Sequence, residues 1–138
     1  MSDFELHPEL RKDSMRIGAL TLCELRLVND ERFPWCLLVP RIADLTDLHD
    51  LPTAHRLTLF EEIERVSTFL LEETASEKIN VAALGNQVPQ LHVHVIGRHG
   101  ADSAWPNSVW TAGPADKYSK ADIEALILRC RERLEVSA

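Results

Sequence analysis

The sequence predicts an α+β domain, an antiparallel sheet with helices packed on one face. Three observations carry that reading. Apolar stripes of helical period lie within residues 53–74 and again after Ser119. Shorter apolar or alternating runs lie in the rest of the chain and suit strands. The last two of these runs are joined by a connection short enough for antiparallel pairing.

Residues 1–14 are polar, with Pro8 and mixed charge, and suit a short helix or an arm. From Met15 to Val28 the pattern is strand-like: Leu20, Leu22, Leu25, Leu27 and Val28 surround Glu24 and Arg26, which places one face in solvent. Asn29 to Arg32 reads as a turn. Trp35 to Val39 is a continuous apolar run between Pro34 and Pro40, a buried strand whose ends the prolines mark. Thr53 to Thr74 is predicted helical, because Leu59, Ile63, Val66 and Leu70 form one stripe. Glu61, Glu62, Glu64, Glu72 and Glu73 supply its wet face. Ile79 to Leu84 is a further strand, and a loop through Gly85, Asn86 and Pro89 leads into another, Gln90 to Ile96. Residues 99–118 are irregular and carry Trp105 and Trp110. A last helix starts at Ser119, which forms a capping-box-like pair with Asp122, and its stripe is Ile123, Leu126, Ile127, Cys130 and Leu134.

A chain of 138 residues fits a single domain, 1–138. Its apolar runs are far shorter than the roughly 20 residues of a membrane span. The first residues, Met1 to Glu5, are acidic and lack a basic leader region. Cys23, Cys36 and Cys130 are widely spaced in apolar company, so reduced core thiols and a cytoplasmic setting are expected. The net charge of −7 argues against binding a nucleic acid polymer, which needs a basic surface. A small anion needs only local donors, and Arg41, Arg98 and His99 are candidates.

The strand Gln90 to Ile96 stands apart. Side chains alternate along a strand, so Leu91, Val93 and Val95 face a core and Gln90, His92, His94 and Ile96 share the other face. Two imidazoles on that face admit three readings. They are surface or hydrogen-bonded structural histidines. They are two ligands of a metal, although no carboxylate follows within Val95 to His99 to complete the set. Or they perform nucleophilic and acid–base chemistry, one nitrogen attacking while the other is held by an acceptor. Gly85, Asn86 and Gln87, just upstream, offer a permissive backbone and amide donors for phosphate oxygens.

Gly85-Asn86-Gln87-Val88-Pro89-Gln90-Leu91-His92-Val93-His94-Val95-Ile96 resembles the signature of the histidine triad (HIT) superfamily, His-φ-His-φ-His-φ-φ with φ apolar. The resemblance extends through Leu27 to Asn29, the strand Trp35 to Pro40 and the stretch Leu45 to Leu51, so it covers roughly residues 15–98, with a loop and helix at 99–138 beyond it. It implies a HIT-like fold with about five antiparallel strands. It also implies a homodimer joined through the longer helices, and hydrolysis or transfer at the α-phosphate of a nucleotide or dinucleoside polyphosphate. No cofactor and no metal are implied. His92 would be the nucleophile, forming a nucleotidyl-histidine, and His94 would bind the phosphate or bridging oxygen. Asn29 matches a ribose-contacting position, and Asn80, Asn86 and Gln87 fall where relatives place polar groups for phosphate and leaving group; Asn29 and Asn86 also suit plain turn roles.

The chain departs from the pattern at two positions. Gln90 stands in the first motif place, and Trp35 stands where many members carry a separate upstream histidine. The two read as a coupled replacement, indole N–H to amide oxygen. A glutamine exchanges no proton near neutral pH, so the departure bears on protonation of the leaving group and leaves attack by His92 untouched. The rival reading is a nucleotide-binding module with little turnover. Trp105 and Trp110 read as core or loop anchors, or as a lid over the base or a contact with the second subunit. His7, His49 and His55 read as surface residues.

Overall fold

The computed structural model describes residues 3–138; the first two residues of the predicted arm lie outside them. The elements run α1 (Pro8–Asp13), β1 (Ser14–Ala19), β2 (Cys23–Val28), β3 (Trp35–Pro40), α2 (Thr53–Glu73), β4 (Lys78–Ala82), β5 (Val93–Arg98) and α3 (Lys120–Leu134). The five strands form one antiparallel sheet in the order β1-β2-β3-β5-β4. β3 and β5 are therefore interior strands, and every residue of both is buried. That explains the unbroken apolar run of β3, since a strand covered on both faces has no wet side to encode.

The first core lies under the two long helices. Leu25, Leu27, Cys36, Leu38, Val93 and Val95 of the sheet meet Leu59, Val66, Phe69 and Leu70 of α2 and Ile123, Ile127, Cys130 and Leu134 of α3. These are the stripes that the helical periods select. Ser119 caps α3, its hydroxyl accepting from the Asp122 N–H at 3.1 Å. The other face of the sheet carries a second core, in which Leu6, Leu10, Phe33, Ala104 and Val109 cover Trp35, Leu37, Val39 and Ile96. Thus the long helices share one face, while the N-terminal arm, α1 and the 99–118 segment close the other.

The strand-like stretch Met15 to Val28 is a hairpin of two strands, β1 and β2, whose turn at Leu20, Thr21 and Leu22 lacks Gly, Pro, Asn and Asp. Two readings of the sequence need correction. Glu24 and Arg26 are buried rather than solvated. Arg26 bonds Glu24 at 2.6 Å and Ser14 Oγ at 2.7 Å, and Arg16 takes the second Glu24 oxygen at 2.6 Å, so the polar set is paired. Glu62 leaves the wet face of α2 and is buried against the hairpin turn, where its carboxylate accepts the N–H groups of Leu22 and Cys23, both at 2.9 Å. One helix side chain thereby satisfies a turn that lacks the usual turn residues. Gly18 is required beside it: a Cβ there would collide with the Ser137 carbonyl and the Val136 side chain of the C-terminal tail.

Replacing Glu62 by alanine strands two buried N–H donors. Glu62→Ala is expected to cost about 2–4 kcal/mol in urea unfolding, and Glu62→Gln, which keeps one acceptor, to cost less.

Candidate functional site

β5 is preceded by Gln90, Leu91 and His92, which lie just before the formal strand. Leu91, Val93 and Val95 pack into the helix-side core, so His92 and His94 face the opposite side, as alternation requires. Both imidazoles are buried, at 5% and 7% exposure, and their rings meet edge to face with centroids 4.9 Å apart. This is a desolvated pair, not two surface histidines.

Each ring is held at Nδ1 by a different partner, and the two partners are opposite in kind. His92 Nδ1 lies 2.6 Å from the Gln90 backbone oxygen. A carbonyl oxygen only accepts, so Nδ1 carries the hydrogen and Nε2 keeps its lone pair. His94 Nδ1 receives the Trp35 indole N–H at 3.0 Å. An indole N–H only donates, so this Nδ1 is bare and the neutral ring carries its hydrogen on Nε2. The pair presents an unprotonated Nε2 beside an Nε2–H. Burial lowers the pKa of His92, helped by the charge of His7 and opposed by the bond to Gln90. Burial, and then the neighbouring His92, push His94 from 6.5 down to about 3, with the Leu84 backbone acting the other way. Both rings are neutral at pH 7.

His92 opens onto a cleft of about 200 Å³ whose walls include Thr46, Asp47, His49, Ala83, Gly85 and Leu91. Asn86 and Gln87 follow Gly85 in the chain and are exposed, but they do not line this cleft. At its rim Asp47, His49 and Asp50 place one potential ligand atom each within 4.8 Å of one another. All three are exposed, and Asp50 Oδ2 already accepts from the Asp47 N–H at 2.9 Å and the Thr46 hydroxyl at 2.8 Å.

The predicted contact between Trp35 and Gln90 does not form. The β3–β5 register sets Trp35 opposite Ile96, diagonal to His94, and the indole reaches that ring. Gln90 instead grips the N-terminal arm: its Oε1 accepts the His7 N–H and its Nε2 donates to the Glu5 carbonyl, both at 2.8 Å. The two departures thus act separately, one on His94 and one on the arm. Asn29 and Asn80 also have other partners. Asn29 Oδ1 accepts the Tyr118 N–H at 3.0 Å, and Asn80 Oδ1 accepts from Arg98 Nη1 at 2.9 Å. The candidate anion donors are similarly occupied: Arg41 bonds the Leu20, Thr21 and Leu22 carbonyls, and Arg98 is 1% exposed in an ion pair with Asp102.

Two residues join the site that the spacing of the motif does not single out. Trp110 meets His94 edge to face at 4.9 Å and Trp35 at 5.7 Å. His7, read above as a surface residue, is half-buried and close enough for its charge to act at His92. A tryptophan in a Gly- and Pro-rich segment was the only signal for the first, and the second had none.

The HIT domain family matches residues 9–101 of the chain. Among solved structures, a histidine triad protein from Sinorhizobium meliloti 1021 is 41% identical with a TM-score of 0.92, covering 96% of this chain and 98% of that one. A histidine triad protein from Bradyrhizobium japonicum is 40% identical with a TM-score of 0.91, over 94% and 97% of the two chains. One from Marinobacter aquaeolei VT8 is 37% identical with a TM-score of 0.92, over 96% of each. No curated protein matches the sequence at a significant level.

Removing the indole N–H in Trp35→Phe frees His94 Nδ1 to take a proton, so the His94 pKa is expected to rise from about 3, read by NMR titration of the ring. Stability follows the same linkage. A group whose folded pKa lies below its unfolded value contributes fully above the unfolded value. For His94 that contribution is lost as pH falls from about 6.5 toward about 3, which thermal unfolding across this window would show.

Proposed function

The chain belongs to the HIT domain family, and from that premise we propose that it is a nucleotide hydrolase or nucleotidyl transferase working through a covalent nucleotidyl-histidine. The observation that carries the reading is the tautomer pair: a buried imidazole with its lone pair at Nε2, opening onto a cleft, beside a second with an N–H at Nε2. His92 Nε2 attacks the α-phosphorus of a nucleoside phosphoanhydride or phosphoramidate. The N–P bond forms as the bond to the leaving group breaks, and the leaving group departs with the electron pair. His92 becomes a cation in this step, and the Gln90 carbonyl already on Nδ1–H stabilises it. The Nε2–H of His94 donates to a phosphoryl oxygen. Water then attacks phosphorus, the N–P bond returns its electrons to Nε2, and the water proton passes to solvent. Gln87 and Asn86, next in the chain after Gly85 of the cleft wall, supply amide donors to the phosphate, while Asn29 and Asn80 serve the site from a distance by holding its surroundings.

The rival function is a nucleotide-binding module with little turnover. Trp35 and Gln90 favour it, because one keeps His94 neutral and the other carries no exchangeable proton.

The chain is further read as a cytoplasmic homodimer. The three cysteines are free and buried, which suits a reducing compartment. No helix among the described residues is long and apolar enough to cross a membrane. Leu57 and Phe60 of α2 are 71% and 72% exposed, and Val81 and Leu84, on and just beyond the edge strand β4, are also exposed. Large apolar side chains left outside on a helix and an adjoining strand edge suit a second copy of the chain.

Two tests follow. With adenosine phosphoramidate and diadenosine tetraphosphate as substrates, His92→Ala is expected to lower turnover by a factor on the order of 10³ or more. Acid-quenched wild type should retain a nucleotidyl adduct that the variant lacks. Binding of mononucleotide without turnover of either substrate would select the binding module. Separately, Phe60→Glu is expected to shift sedimentation from dimer to monomer.

A further inference from the structure

Trp110 is held with more structure than its own packing requires. It sits in the short turn Val109–Thr111, whose first residue is buried in the second core. Both flanks of this turn are stapled to the sheet by arginines. Arg98, at the end of β5, bonds Asp102 at 2.7 Å and the Asn107 carbonyl at 2.8 Å. Asp102 in turn accepts the N–H groups of His99, Ala104 and Trp105, at 3.3, 3.1 and 2.8 Å. On the other flank Arg32, anchored to Asp30, bonds the Ala112 and Gly113 carbonyls at 2.8 and 3.2 Å. Glu31 donates to the Asp116 carbonyl at 2.7 Å, and Asn29 accepts from Tyr118 at 3.0 Å. A loop of this length would otherwise be mobile.

What this scaffold presents is an indole that remains 43% exposed. Trp105, at 42%, makes a useful contrast, because the Arg98 guanidinium lies over its ring at 5.7 Å and accounts for its position. Trp110 has an edge-to-face contact with His94 and another with Trp35, and among the described residues no such cation on its ring. The rings run in series from His92 to His94 to Trp110, with steps of 4.9 Å and 4.9 Å. That series is comparable to the reach from the 5′-phosphate of a nucleotide to its base.

We propose that Trp110 is the stacking platform for the base of the nucleotide whose phosphate lies at His92. This rests on the nucleotide reading of the site and adds to it the residue that recognises the base. A platform fixed before the ligand arrives keeps the full stacking contribution, because no loop must be ordered on binding.

The experiment compares AMP with ribose 5-phosphate, which has the phosphate and sugar without the base, by calorimetry on the full chain. Trp110→Ala is expected to weaken AMP about tenfold, the scale of one base stacked on an aromatic side chain, and to weaken ribose 5-phosphate much less, by no more than the loss of packing against His94 imposes. Trp110→Phe, which keeps a smaller platform and the packing of the turn, should fall between. Quenching of tryptophan fluorescence by AMP should be large in wild type and mostly lost in Trp110→Phe. Equal weakening of both ligands, or of neither, would overturn the proposal, as would wild type that binds AMP no better than ribose 5-phosphate. If AMP binds with the expected pattern but no substrate turns over, the hydrolase reading falls and the platform stands.

Discussion

Burying two imidazoles on the second face of an interior strand is the constraint that organises this structure. β5 has strands on both sides and cores above and below. The inward nitrogen of each buried ring, Nδ1, therefore needs a partner from the protein. His92 finds the Gln90 carbonyl one strand step away. His94 finds an indole from the neighbouring strand. Because one partner accepts and the other donates, desolvation does more than lower two pKa values. It leaves two rings of the same chemistry with opposite tautomers.

The surroundings follow from the same demand. A sheet face that holds buried polar rings must be covered, and among the described residues no long helix is on that side. The cover is assembled from two segments of low regularity, the arm before α1 and residues 99–118. Irregular segments hold position only when their backbone groups are tied down. Gln90 ties the first through Glu5 and His7. Arg98, Asp102, Arg32 and Asn29 tie the second. Several polar residues that a motif comparison assigns to ligand are thus spent on holding the cover in place.

This division explains what could be read in the chain. The strand with its alternating Leu91, Val93 and Val95, the two helical stripes and the proline-bounded β3 are local patterns, and each is where periodicity puts it. The histidine pair was legible for the same reason. The hairpin turn at Leu20 to Leu22 was not, because its hydrogen-bond acceptor, Glu62, is about forty residues away and looks like any other glutamate of a wet helix face. The partners of Trp35 and Gln90 were also out of reach. Placing an indole on His94 rather than on Gln90 depends on cross-strand register, and placing Gln90 on the arm depends on where the arm docks. Trp110 belongs to the same class, since its position is set by arginines on two other elements.

The neutrality of the imidazole pair has a consequence for how an anion would approach. The chain carries a net charge of −7, and Arg98 and Arg41, the two arginines read as anion donors, are tied to internal partners. An anionic ligand thus meets long-range repulsion outside and hydrogen-bond donors, rather than fixed positive charge, inside. Added salt screens the first and has little to act on in the second. Association of such a ligand should then quicken as ionic strength rises, the reverse of the behaviour of sites that capture phosphate with open cations.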